Sequence, residues 1–90
     1  MAAVLIAYDL NSPGQNYEVL YEKIKAYGTW SHPLDSTWIV VHPRATAQSV
    51  SDDLKSVLDP NDRWFCVEIT GQPHQGWLSK KRWEWINNNV

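Results

Sequence analysis

Ala3-Val4-Leu5-Ile6-Ala7-Tyr8-Asp9 is a short, nearly continuous apolar run that stops on a carboxylate. It has the character of a central strand covered on at least one face. The residues after Asp9 settle the class of fold. Ser12-Pro13-Gly14-Gln15 offers a hydroxyl cap, a proline at the first helical position and a glutamine at the third, a capping-box pattern. Asn16 is a rival cap. Tyr17, Leu20, Tyr21, Ile24 and Tyr27 then repeat at three and four, while Glu18, Glu22, Lys23 and Lys25 take the opposite side, so a first helix is predicted here. Gly28 supplies its left-handed stop.

Two strands are expected next, Thr29 to His32 and Ser36 to His42, joined by Pro33-Leu34-Asp35. Pro33 implies a sheet edge or a strand end, because it has no amide hydrogen to give. Ser36-Thr37-Trp38-Ile39-Val40-Val41 carries the β-branched and aromatic residues that pack on a pleated surface. Thr46 can cap a second helix with apolar positions Ala47, Val50, Leu54, Val57 and Leu58 and with Asp52 and Asp53 outside. Pro60 ends it at or before Asp59. In Arg63 to Thr70, a fourth strand, Phe65, Val67 and Ile69 fall on one face and Trp64, Cys66 and Glu68 on the other. A loop over residues 71–76 leads to Ser79, which can cap a short final helix containing Trp83 and Ile86, and Asn87-Asn88-Asn89 is a fraying end.

The order strand, helix, strand, strand, helix, strand plus a C-terminal addition predicts an α+β, ferredoxin-like βαββαβ sandwich. Two helices would cover one face of a four-stranded antiparallel sheet. The 90 residues leave room for a single domain, residues 1–90. Six tryptophans carry more rigid apolar area than so small a core readily encloses. A homodimer is therefore expected, its second subunit covering the other sheet face against Trp38, Trp64 and the tail tryptophans.

A formal charge of −2 gives no long-range pull toward phosphate, so any nucleic-acid contact must be local. The lone Cys66 excludes a disulfide framework and a cysteine-rich metal site, and its apolar setting fits a buried reduced thiol. The N-terminal run lacks the basic flank of a signal peptide and is too short to span a bilayer. A cytoplasmic protein without membrane insertion is the expectation.

The stretch Leu5-Ile6-Ala7-Tyr8-Asp9-Leu10, followed by a polar turn, an amphipathic helix and Gly28, resembles the start of the second CRISPR-associated protein family. The likeness extends over most of the chain in element order and spacing. It is nearer still to the compact bacterial branch labelled SinR-like, through Tyr8 to Asn11, Gly14 to Tyr17 and Asp35 to Trp38 in register. The resemblance implies a small ferredoxin-fold homodimer that acts with an integrase-type partner in spacer acquisition. It also implies metal-dependent endonuclease chemistry on RNA or DNA in some members, with the strand-ending aspartate, here Asp9, near the dimer axis and assigned to a metal ion, which for this chain would be Mg²⁺. One departure stands out. The arginine-rich first helix of DNA-binding members is missing, and Glu18 and Glu22 stand beside Lys23 and Lys25 instead.

Asp9 has two readings. Paired across a two-fold axis, its carboxylate could hold Mg²⁺ with several waters and so assist phosphodiester hydrolysis. Alone, an aspartate at a strand end accepts hydrogen bonds from the amides of the next turn, here around Asn11 and Ser12. Tyr8 beside it and Ser36 are further candidates, Ser36 for phosphate contact or for positioning a water, although a serine there is equally an ordinary strand residue. His32, His42 and His74 lack metal-ligand spacing. Lys80, Lys81 and Arg82, next to Trp77, Trp83 and Trp85, are the nucleic-acid-binding candidates, since cations attract phosphates while indoles stack on bases. The plain alternative is a solvated basic turn. Without a multi-residue catalytic constellation, a non-catalytic homodimeric interaction module is the competing function.

Overall fold

Strands and helices succeed one another in the predicted order in the computed structural model, which describes residues 2–11 and 17–90. They are β1 (Ala2–Asp9), α1 (Glu18–Lys25), β2 (Thr29–Leu34), β3 (Thr37–His42), α2 (Ala47–Lys55), β4 (Arg63–Glu68) and α3 (Lys80–Asn89). The strands form one sheet in the order β2-β3-β1-β4, and every neighbouring pair is antiparallel. This is the ferredoxin-like α+β arrangement, with β1 flanked by β3 and β4.

Strand pleat sorts the side chains. Val4, Ile6 and Tyr8 of β1 lie level with Trp38 and Val40 of β3 and join Leu20 and Ile24 of α1 and Val50 and Leu54 of α2 in the main core. Each such aliphatic side chain contributes about 1.5–3 kcal/mol on burial. Trp38, only 2% exposed, and the half-buried Trp64 both belong to this helix-side core. The expectation that they face a second subunit is thus wrong: even-numbered positions of β3 and β4 point toward the helices. The Trp64 indole instead donates to Ser51 Oγ of α2 at 3.0 Å.

The opposite face is covered in part by the chain itself. Ala3, Ile39, Val41 and Ile86 form a second buried cluster, with Ile69, Leu78, Trp83, Trp85 and Val90 packed around it. The addition after β4 therefore folds back over one half of the sheet. Asn87 to Asn89 do not fray as expected. Residues through Asn89 remain helical, Asn89 Nδ2 donates to the Trp85 carbonyl at 2.8 Å, and the Gly71 amide donates to the Val90 carbonyl at 3.0 Å.

Local signals explain the element ends. Thr46 and Ser49 cap α2 reciprocally, each side-chain oxygen accepting the other's backbone amide at 2.9 Å. Ser79 Oγ accepts from the Arg82 amide at the start of α3. Gly28, at φ 91°, turns the chain out of α1 in the left-handed region. The cap expected from residues 12–16 lies outside the described residues, and Tyr17 at the N-cap makes no side-chain cap bond. Strand boundaries shift, and β4 stops at Glu68, short of the expected Thr70. β2 continues past His32 to Leu34, with a register irregularity between Ser31 and Leu34 where Pro33 sits on the edge strand. Ser36 falls in the Asp35–Ser36 turn and not in β3, which begins at Thr37.

Candidate functional site

The last residues of β1 open onto a shallow cavity of ≈ 340 Å³ lined by Ala7, Tyr8, Asp9, Ser36, Arg63, Trp64 and Phe65. Three of the residues singled out in the sequence, Tyr8, Asp9 and Ser36, thus meet in one place. The antiparallel register sets Asp9 opposite Arg63 and Ala7 opposite Phe65, while the turn before β3 brings in Ser36. Asp9 and Ser36 are both exposed. Arg63 Nη1 donates to the carbonyls of Pro60 and Asp62, each at 3.1 Å, which steadies the guanidinium at the mouth of the cavity.

Tyr8 turns the other way, into the core. Its hydroxyl accepts from Trp38 Nε1 at 2.9 Å. Burial raises its pKa more than the Trp38 bond lowers it, so the phenol stays protonated. His32 stacks on Trp38 with centroids 3.8 Å apart and planes 11° from parallel, and Tyr21 of α1 stacks on the same indole at 5.8 Å. His32 Nε2 lies 3.0 Å from the Asp35 carbonyl oxygen, which can only accept, so that nitrogen carries the hydrogen. His32 is thus a stacked, oriented residue of β2, held to the β2–β3 turn through Asp35.

Among the described residues, it is Asp62 that holds the chain just after β1. Asp62 is 2% exposed, and its carboxylate accepts from the Asn11 amide at 2.8 Å, the Tyr17 hydroxyl at 2.8 Å and the Asp59 amide at 3.0 Å. Asn11 Nδ2 reaches the backbone carbonyls of Asp9 and Asn61, each at 3.4 Å. Asp62 therefore takes the Asn11 amide that the sequence assigned to Asp9, while Ser12, the other expected donor, lies outside the described residues. A proline-flanked Asp-Pro-Asn-Asp segment announces a turn. Its reach across to Asn11 is a tertiary fact with no local signature.

The basic candidates lie elsewhere. Lys81 and Arg82 line a second cavity, ≈ 390 Å³, together with Trp30, Ser31, Ser79 and Trp85, where the first turn of α3 meets edge strand β2. Lys80 is exposed and not among its lining residues. Trp30 and Ser31 escaped the sequence reading because they come from β2, about fifty positions earlier in the chain. The Lys25 Nζ stands 5.1 Å from the Trp30 ring, adding a third cation to that neighbourhood. Asp53, placed outside α2 in the sequence reading, is half-buried and accepts a hydrogen bond from Tyr27 of α1. Burial first, then that bond, drives the Tyr27 pKa up.

A resident Mg²⁺ would meet a sparse donor set. Among the described residues, Asp9 is the only carboxylate lining its cavity, Arg63 shares the space, and no group of three or more His, Cys, Asp or Glu side chains could hold a metal ion. The described residues of a single chain therefore do not by themselves build such a site. Cys66 is raised to about 11 by burial and stays a thiol at neutral pH. Among the described residues, no helix is long and apolar enough to cross a membrane. No protein-family profile, curated protein sequence or solved structure matches the chain significantly.

Proposed function

We propose that the chain is a nucleic-acid-associated homodimer of the kind its resemblance implies, receiving single-stranded nucleic acid where β2 meets α3, with phosphodiester cleavage at Asp9 weak or lost. The observation supporting this most directly is the cavity in which Lys81 and Arg82 share a lining with Trp30 and Trp85. Cations attract the backbone and indole faces accept bases, the combination used by single-strand binders. With an overall charge of −2, attraction is local, so binding is weak at physiological salt and falls with salt at a log–log slope of about −0.7 per contacted phosphate. Weak or lost cleavage is expected from the composition of the first cavity: among its described lining residues the Asp9 carboxylate and the Arg63 guanidinium carry charge, the Ser36 hydroxyl is neutral, and no second carboxylate or imidazole stands by to act as acid or base.

The test is anisotropy of short labelled RNA and DNA strands, at low and high salt, with the wild type and Lys81→Glu/Arg82→Glu. A tenfold or greater loss of affinity in the variant is expected. Equal binding by the two proteins would defeat the β2–α3 assignment. The same strands, incubated with Mg²⁺ or chelator and resolved on gels, test the chemistry; cleavage unchanged in Asp9→Ala rules Asp9 out.

A second reading, the non-catalytic interaction module, is favoured by a different observation: Leu34 and Phe65 are exposed on the sheet face that α3 leaves open, and Trp77 is exposed in the loop before α3. Genomic position discriminates the two. A neighbouring integrase gene fits the first reading and a solitary location the second.

A further inference from the structure

The register of the sheet lays out the uncovered surface row by row. On the face away from α1 and α2, Ala3 and Val41 are level with Ile69 and lie beneath α3. One step along, Ile39, Leu5 and Val67 are level, and one further, Leu34, Thr37, Ala7 and Phe65. The two ends of this last row are open: Phe65 is 66% and Leu34 56% exposed. Asp9 and Arg63 lie one step beyond.

Between that row and the C-terminal addition lies a cavity of ≈ 310 Å³, floored by Leu5, Leu34 and Ile39 and walled by Trp83 and Ile86. Its described lining is mostly apolar, with Gln72, His74 and Gln75 at one side and no acidic side chain, lysine or arginine, so its chemistry suits an uncharged ring better than a phosphate. Its volume is at the lower end of the roughly 300–1,000 Å³ range of ligand pockets, a size for one or two rings. On its rim stands Trp77, 98% exposed, an indole with nothing to pack on in a chain that buries or half-buries its other five tryptophans.

A knob and a hole side by side on one surface form a self-complementary patch. Under a two-fold axis, residue i meets j on the partner while j meets i, so one rotation seats two knobs at once. Trp77, Phe65, Leu34 and Val67 together offer roughly 500 Å² of exposed apolar surface, on areas of 150–250 Å² for a whole aromatic side chain. That is more than half of the ~800 Å² per partner typical of a stable interface, before any polar rim is counted.

We propose that a second copy of this chain covers the open row, and that Trp77 of each copy inserts into the apolar cavity of the other. The inference rests on the homodimeric part of the function proposed above and gives that dimer its anchor. Tryptophans seated in desolvated pockets are the usual hot spots of interfaces. Trp77→Ala removes a side chain that touches little within its own subunit, so the fold survives the change.

The experiment is sedimentation equilibrium of the wild type and Trp77→Ala, joined to isotope-filtered NOE spectra on dimers mixed from labelled and unlabelled chains. A wild-type dimer, a dissociation constant at least tenfold higher in Trp77→Ala, and intersubunit NOEs from the Trp77 indole to the Leu34 and Ile39 methyl groups support the exchange. A wild-type protein that stays monomeric at high micromolar concentration overturns the exchange and the homodimeric reading together. A dimer of unchanged affinity in Trp77→Ala, or Trp77 NOEs confined to its own subunit, overturns the exchange and leaves the homodimer standing.

Discussion

Asp62 carries more of the local structure than any residue picked from the sequence. Its two carboxylate oxygens collect the Asn11 and Asp59 amides and the Tyr17 hydroxyl, tying together the turn after β1, the entry to α1 and the entry to β4. Truncation to alanine would leave those donors facing a space that excludes water, at about 1–3 kcal/mol for each group not rescued. Asp62→Ala is expected to lower unfolding free energy by about 3 kcal/mol in urea melts, whereas Asp9→Ala, at an exposed position, should stay within about 0.5 kcal/mol of wild type. Two further residues set the alkaline limit. Burial and the bond to Asp53 raise Tyr27 above its ordinary 10.0, and burial raises Cys66 from 9.0 to about 11. A group with a raised folded pKa contributes fully below its unfolded value and loses that contribution as pH climbs through the folded one. The urea midpoint should therefore hold up to pH 9, fall between pH 9 and 11, and fall less steeply in Cys66→Ala; Tyr27→Phe should flatten the decline above pH 10. A midpoint flat across that range would contradict both assignments.

At the scale of elements, period-two and period-3.6 patterns were legible because burial acts on every second or every third and fourth residue. The even positions of β1 and the Leu20 and Ile24 pair of α1 face each other as the spacing requires. Which way each sheet face looks was less legible. Trp64 and Phe65 are adjacent large aromatics, and only the pairing of Ile6 with Cys66 and Ala7 with Phe65 reveals that the first is covered by α2 and the second bare. The last helix was legible as an element, through Ser79, and illegible as a cover, since its partners Ala3, Ile39 and Val41 are distant in sequence. A chain shortened to end after Gln72 would uncover that cluster and strip Trp83, Trp85 and Ile86 from it. Such a truncation is expected to bind the dye ANS and to lose most of its cooperative thermal transition. A truncated chain melting like the full one would show α3 to be dispensable.

The molecule as a whole shows where single-chain patterning stops. Composition pointed to surplus tryptophan, and of the six only Trp77 is left exposed, while Trp38 and Trp64 belong to the core and Phe65 is bare as well. The candidate cavity at Asp9 assembles from β1, β4 and the turn before β3, so residue types could be named in advance while Arg63 as their neighbour could not. If two copies associate, stability becomes a function of concentration, because the folded dimer is favoured by mass action. The melting temperature should rise by several degrees over a hundredfold increase in protein, and the rise should vanish in a strictly monomeric Phe65→Lys variant. The rings of Tyr21, Trp38 and His32 lead from α1 through the core to the sheet edge. The imidazole lying flat on the Trp38 indole is expected to hold its emission down, since an excited indole loses energy to a ring stacked on it. Any event that parts the edge strand β2 from β3 should then register as added light, without a dye or a label.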